Sequence, residues 1–430
     1  MPDGESGARA KVLVLGGGFG GVETSTYLVS EVPERVDVTL VSSEPEFLFR
    51  PNTIYIPFGL KVEKLKFPLA PALAKKNVAF IHGTAGEVDP DGKRVTVERA
   101  AGGTESLPYD FLVISTGAAV RPAEIPGMVE HAHTPWTPAE MSRLGDGFRQ
   151  LVERAERQER TKALFLIPPN NKCAGPLYEL VLMFDTWLRR RRVRDWVTIT
   201  WTTSENHYIQ VFGPRMHGFV EKEFARRGID GHTGWVVDHV ESDAVHYKNG
   251  EAAGYDLLCS FPPYVAARTY PGLAADDRGF IQCADLGSRR AKDHPEIFVS
   301  GDAGDFPIKQ AFLAFLEADA AASNLAAEIK GTAPGYDFDP ISMCVMEQLD
   351  KAMFAQVPLE LTGDPSLPVR VRPGMESAYK IGMGKSWRLG KSALAYYLPF
   401  RFKAGNPFHS GAPWKTMDVA LKGMSMFLAR

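Results

Sequence analysis

Cys173 is the residue best placed to do chemistry in this 430-residue chain. An apolar run, Ala163 to Ile167, leads into a turn, and Cys173 heads the amphipathic stretch that follows. That is the strand–turn–helix order of a dinucleotide site. Such a site needs glycines in the turn, so that backbone N–H groups can approach a pyrophosphate. Here Pro168, Pro169 and Lys172 occupy the turn instead. The turn suits a thiol better than a nucleotide. A helix N-terminus and an adjacent cation both favour the thiolate, so the position of Cys173 beside Lys172 predicts a lowered thiol pKa.

The other thiols are Cys259, Cys283 and Cys344. Four cysteines are too few for a disulfide scaffold in a chain of this length, so a disulfide here would be catalytic rather than structural. Cys259 and Cys283 lie in apolar, strand-like segments and read as core thiols. Cys344 lies in Ile341 to Val345, late in the chain.

The elements that must position these groups begin at the N-terminus. Lys11 to Leu15 reads as a buried parallel strand. Gly16, Gly18 and Gly21 follow in G-x-G-x-x-G register, then a helix to about Glu31 and a strand from Val36 to Val41. This βαβ unit predicts a dinucleotide site: Gly16 permits the tight turn, Gly18 admits the pyrophosphate, and Gly21 lets helix and strand meet closely. Ser42 and Glu44 both stand where a ribose-binding group is expected, and the sequence leaves the choice open. Further strands are predicted at 163–167, 197–202 and 256–261. The spacing predicts an α/β protein with two Rossmann-like dinucleotide-binding domains, the second degenerate, and a C-terminal membrane-association region. The predicted division is 1–117 with 296–340, then 118–295, then 341–430.

Tyr109 to Ala118 is a strand ending in Thr116-Gly117-Ala118, and Glu296 to Ala303 is a strand ending in Gly301-Asp302. With the first glycine loop, these segments resemble the FAD fingerprints of the pyridine-nucleotide–disulfide oxidoreductase superfamily. The segment Lys172 to Glu179, with its Cys-Ala-Gly, resembles the redox-cysteine segment of sulfide:quinone oxidoreductases and of the flavocytochrome c sulfide dehydrogenase flavoprotein. The resemblance implies non-covalent FAD, held by Gly16, Gly18, Phe19, Gly20, Gly21, Ser42, Glu44, Arg50, Pro51, Ala85, Thr116, Gly117, Gly301, Asp302 and Lys309. Asp302 would bond the ribityl chain, and Lys309, at the start of a helix, would stabilise negative charge on the reduced flavin. It further implies that Cys173 and Cys344 form a redox pair, with Glu179 as a proton carrier. Hydrosulfide attack on such a disulfide would leave a persulfide on one cysteine and a thiolate on the other. The family's third cysteine is missing, since none lies between Ala118 and Lys172.

Charge and patterning add a partner surface. Net charge is −3, yet residues 370–430 hold 11 Lys and Arg against 2 Asp and Glu. From Trp414 to Arg430, Trp414, Met417, Ala420, Leu421, Met424, Phe427 and Leu428 share one helical face, as expected for a helix lying in the bilayer interface. Phe312, Tyr379 and Tyr396 are candidate aromatic contacts for a quinone. No apolar run reaches the roughly 18 residues needed to span a bilayer, and no apolar leader precedes the first strand. The expected activity is oxidation of sulfide with electrons passing through FAD to a quinone, at the cytoplasmic face of a membrane. No metal and no nucleic acid are expected, and a homo-oligomer is allowed. The alternatives are the flavocytochrome c flavoprotein, a type II NADH dehydrogenase, and a non-catalytic flavin-binding sensor or assembly subunit.

Overall fold

A computed structural model describes residues 8–409 and 411–429, apart from the side chains of Asp418, Ala420, Leu421, Lys422 and Met424. The first glycine loop lies where expected. Strand β1 (Ala10–Leu15) ends at Gly16, whose φ of +113° favours glycine, and α1 (Phe19–Glu31) begins two residues after Gly17. A Cβ on Gly21 would lie 1.9 Å from the Gly16 carbonyl oxygen, so helix and turn could not meet with any larger residue. Ser25, Thr26 and Ser30 return their hydroxyls to carbonyls one turn back, which lets α1 bury polar residues.

β1 pairs in parallel with β2 (Val36–Ser42) on one side and with Phe111–Ile114 (β4) on the other, and β2 pairs with Ala79–Asp89 (β3). After β4 the chain leaves this sheet. A capped helix, Pro138–Glu156 (α2), opens with a reciprocal Thr137–Glu140 capping box. It packs beside a second, parallel sheet in the order Asp230–His232, Val197–Thr203 (β6), Thr161–Ile167 (β5), Leu257–Ser260 (β7). Helix Gly175–Arg191 (α3) follows β5 and is buried from Leu177 to Thr186. The chain then returns to the first sheet: His294–Val299 (β8) pairs with β4, and Ala311–Lys330 (α4) packs on α1. Tyr270, Leu273, Ile281 and Ala291 are buried in the core of the first sheet, although the sequence division groups them with the second unit.

A third, antiparallel sheet joins Ile341–Glu347 (β9), Ala352–Leu361 (β10) and Lys380–Gly384 (β11), with Cys344 opposite Ala355. Two helices close the chain, Lys385–Lys403 (α5) and Gly411–Leu428 (α6). The loop between them is tied to the first domain: Phe408 donates its N–H to buried Glu23 of α1 at 2.6 Å.

The tail helix differs from its predicted face. Ser425, which lies off the predicted apolar face, is buried, and Ala429 packs with Phe354 and Trp387. Trp414 turns inward against Phe408 and His409. Val419, Met426 and Phe427 are exposed, Phe427 at 83 %. The helix therefore docks one side on the protein and leaves another apolar side outside. Predicted face positions Ala420, Leu421 and Met424 lie outside the described side chains. Leu389, Tyr396 and Phe400 of α5 are also exposed. No helix among the described residues is long and apolar enough to cross a membrane.

Candidate active site

One cavity of about 1050 Å³ collects nearly all of the chemistry-bearing residues. Gly16, Gly18, Phe19, Gly20, Ser42, Glu44, Arg50, Pro51, Ala85, Thr116 and Gly117 line it from the first sheet. Gly301, Asp302 and Lys309 come from the returning strand, and Cys173, Glu179 and Cys344 from the other two units. Gly21 alone among the predicted residues is set back, where it packs helix on turn. Both candidates for the ribose contact reach the cavity. The Ser42 hydroxyl already accepts the Glu44 N–H at 3.2 Å, so Glu44 carries the less committed oxygens.

The first end fits a flavin dinucleotide. A Cβ on Gly18 would meet no atom within 4 Å, so the open space in front of the α1 N-terminus admits a ligand against the backbone. Asp302 faces this cavity with its carboxyl raised by burial, opposed by Lys309 and Arg50. Lys309 is 3 % exposed, so it is no surface lysine. Its ammonium donates to the Gly304 carbonyl and lies 4.0 Å from the Phe280 ring centre, and burial brings its pKa down to about 8. A cation held this way beside the cavity would stabilise negative charge on a bound reduced flavin.

The turn after β5 is built around asparagines. Asn170 adopts left-handed φ of +61° and its carbonyl accepts the Tyr264 N–H at 2.9 Å. The Asn171 side chain donates to the Phe261 carbonyl at 3.0 Å and accepts the Cys173 N–H at 2.9 Å. The Lys172 carbonyl accepts the Lys309 N–H at 3.0 Å, which ties the thiol turn to the flavin-side helix. The Cys173 N–H is thus spent on a side chain. Glu205, after β6, is similarly engaged, by the Gln210 N–H at 3.2 Å. Neither is held ready for a second nucleotide.

Both cysteines line this end of the cavity. Cys344 lies on β9, its sulfur 3.8 Å from where a Cβ on Gly175, two residues after Cys173, would stand. Neither is in a disulfide, and all four cysteines are free thiols. The expectation of a lowered Cys173 pKa is overturned. Burial pushes this thiol far above its ordinary range, and Cys344 and Asp302 add to the rise. Its accessible part opens into the cavity, not into bulk water. Lys172 gives no help, since its ammonium is turned onto Phe280 at 5.3 Å. Burial also raises Cys344, to about 12, with Glu179 adding.

Glu179 sits within a buried charge cluster that the sequence did not reveal. Its carboxylate accepts the Glu347 N–H at 2.7 Å and pairs with Lys391 of α5, whose ammonium also donates to the Val345 carbonyl at 2.9 Å. Burial raises its pKa, opposed by Lys391. Glu347, fully buried, pairs with Arg388 at 2.9 Å and accepts the Tyr55 hydroxyl at 2.6 Å. Gln310 completes the seat of Cys344, donating to the Met343 carbonyl at 3.0 Å and accepting Ser342 at 2.8 Å.

The far end is apolar, lined by Phe312, Phe315, Leu394, Ala395, Leu398, Phe408 and Trp414. Of the three aromatic residues singled out in the sequence, Phe312 alone lines it. Tyr379 is a structural residue that bonds Phe212 and Met216 backbone, and Tyr396 points to solvent. Cys259 is fully buried in β7, and Cys283 is partly exposed beside Asp305.

Residues 10–152 match the family described as pyridine nucleotide-disulphide oxidoreductase. The chain is 32 % identical over 279 residues to the sulfide-quinone reductase of Aquifex aeolicus (strain VF5), which covers 61 % of this chain and 60 % of that one. It is 27 % identical over 259 residues to the mitochondrial external alternative NAD(P)H-ubiquinone oxidoreductase B1 of Solanum tuberosum, covering 56 % of this chain and 44 % of that one. The matches thus span 60 % or less of these two curated relatives. The crystal structure of the Aquifex aeolicus sulfide:quinone oxidoreductase superposes with a TM-score of 0.80 at 25 % identity, over 97 % of this chain and 95 % of that one.

Residues 10–152 thus resemble the pyridine nucleotide–disulphide oxidoreductases, and the fold of the whole chain is similar to a flavoprotein of that kind. Within that class its similarity runs to the sulfide:quinone oxidoreductases, over nearly the whole fold.

Proposed function

We propose that this protein oxidises sulfide at a Cys173–Cys344 redox pair and passes the electrons through non-covalently bound FAD to a membrane quinone. One observation carries the reading: two thiols and a buried glutamate open into the same cavity as the flavin cradle, and the turn that carries Cys173 has no glycine loop. In the oxidised pair, hydrosulfide attacks one sulfur, a new S–S bond forms, and the old one breaks. The products are a persulfide on one cysteine and a thiolate on the other, so atoms and electrons balance. FAD would accept the electron pair when bound. Burial disfavours the thiolate so freed, so a neighbouring proton carrier is needed to neutralise it. Glu179, within the cluster beside Cys344, is the group suited to carry the proton.

The apolar end suits a quinone ring, and the exposed residues of α5 and α6 would set that end against the bilayer interface. The protein would then be peripheral, docked at the cytoplasmic face by Phe427, Met426 and Val419 with the basic 370–430 segment.

The test is anaerobic flavin bleaching on flavin-loaded protein, with sulfide in one cuvette and NADH in another, followed by a soluble quinone. Bleaching by sulfide alone, lost in Cys173→Ser and reversed by quinone, is the expected result. Bleaching by NADH would favour the NADH dehydrogenase reading and overturn the role given to the 168–173 turn.

A further inference from the structure

A second gathering of ligating side chains lies away from the cavity, on a hairpin of the second unit. Strands Val237–Val240 and Ala244–Tyr247 pair antiparallel, with His239 directly opposite His246. Directly opposed residues bring side chains within contact distance, and the two imidazole rings stack 4.5 Å apart and nearly parallel. Glu241, at the start of the turn, sets its carboxylate against both. One oxygen lies 3.2 Å from His246 Nε2 and the other 3.8 Å from His239 Nε2. One ligand atom from each of the three residues falls within 4.8 Å of the others.

Asp238 adds an independent sign. Its carboxylate lies 2.9 Å from His239 Nδ1. A carboxylate only accepts, so Nδ1 carries a hydrogen, which leaves Nε2, on the Glu241 side, as the nitrogen that would bind a metal. This carboxylate–histidine arrangement orients metal-ligating imidazoles and raises their basicity. The hairpin is also firmly seated: Val237, Val240, Val245 and Tyr247 are buried with Leu164 and Leu166 of the second sheet, and Tyr255 donates to the Glu241 carbonyl.

We infer that His239, His246 and Glu241 form a site for a divalent first-row transition ion of the zinc class. Asp238 is its orienting carboxylate. Two imidazoles and one carboxylate suit zinc, copper or nickel rather than calcium or magnesium, which prefer oxygen ligands alone. Three protein ligands leave a fourth position open to solvent or to an exchangeable small ligand. Bound metal would join the two strands through their side chains and so fix the hairpin on the sheet beneath. The site is remote from the flavin cavity, so it stands whether or not sulfide proves to be the substrate.

The experiment uses metal-free, full-length protein. Zinc binding is followed by calorimetry, and cobalt binding by its visible absorption. The expected result is one tight equivalent per chain with the intense absorption of low-coordinate cobalt. His239→Ala and His246→Ala should each weaken it at least tenfold. Asp238→Asn removes no ligand and should still weaken binding by about 10- to 100-fold. All three positions are partly exposed, and circular dichroism verifies that the variants fold. Binding that is unchanged in His246→Ala and His239→Ala, or cobalt spectra of the hexaaquo ion, would overturn the site. Asp238→Asn matching wild type would remove the orienting role of Asp238.

Discussion

Replacing Lys391 with methionine should expose the Glu179–Lys391 pairing through its pH dependence. Lys391 and Glu179 side chains are 11 % and 8 % exposed, so their pairing is little screened. Methionine keeps most of the lysine stem but leaves the carboxylate buried, held by the Glu347 N–H. A buried charge stripped of its partner costs about 3–5 kcal/mol. Glu179 can escape that cost by taking a proton, and the escape has a calculable ceiling. With an unfolded-state pKa near 4.3, neutralisation costs about 3.7 kcal/mol at pH 7 and about 1 kcal/mol at pH 5. The direction follows from linkage. The folded-state pKa of Glu179 is already raised, and the variant raises it further. Its contribution to stability is therefore full below the unfolded pKa and is lost as pH climbs through the folded one. Because the wild-type carboxyl already bears part of this cost, Lys391→Met should lose at most about 3.7 kcal/mol at pH 7 and at most about 1 kcal/mol at pH 5, and least in a Glu179→Gln background. Urea unfolding of the wild type, the two single variants and the double variant at both pH values measures this. A loss that is equal at the two pH values, or a coupling below about 1 kcal/mol at pH 7, would mean that Glu179 is not the charge Lys391 neutralises.

Gly21→Ala, whose Cβ would meet the Gly16 carbonyl, should lower the melting temperature and abolish flavin retention together; Gly18→Val should leave the flavin-free melt near wild type and weaken flavin binding at least tenfold, as read by flavin fluorescence. Glu205, lifted to about 7 by burial, should make stability decline as pH rises from about 4 through 7, and Glu205→Gln should flatten that slope in thermal melts at stepped pH. Replacing Val419, Met426 and Phe427 together by serine should reduce co-sedimentation with anionic vesicles at least tenfold while the bleaching reaction in solution is kept; undiminished sedimentation would move the membrane contact elsewhere.

Much of the frame was legible because it rests on local patterning. The expected strands at 36–41, 163–167, 197–202 and 256–261 differ from the observed ones by one or two residues at their ends. Gly16 and Gly21 announce themselves because only glycine fits their backbone. The two cysteines were visible as residue types, but their setting was not. The acidity of Cys173 follows from how much protein surrounds it, and burial outweighs a helix end and a neighbouring lysine that turns away. Lys391 and Arg388 stand some 210 residues after Glu179 and 40 after Glu347, and no spacing rule links them. Asn171 left a faint signal, since an Asn-Asn pair after two prolines is a turn whose side chains replace missing backbone contacts. The tail's outward face escaped pattern reading because the helix docks by Ser425 and Ala429, small residues that carry little hydropathy.

The flavin cradle is assembled from both ends of a long excursion. Its turn is complete at Gly21, but Asp302 and Lys309 arrive only after the intervening unit has been made. At about 5–20 residues per second, the ribosome takes from about a quarter of a minute to about a minute to cover that gap. During that time β4 has no β8 to pair with and shows an open edge, and the thiol turn has no Lys309 N–H to bond its Lys172 carbonyl. The nascent chain therefore passes through a stage in which its cofactor pocket has one wall, and loading falls late in synthesis or after release. A cell short of flavin would accumulate this protein with the order of its folding intact and its last step unfinished.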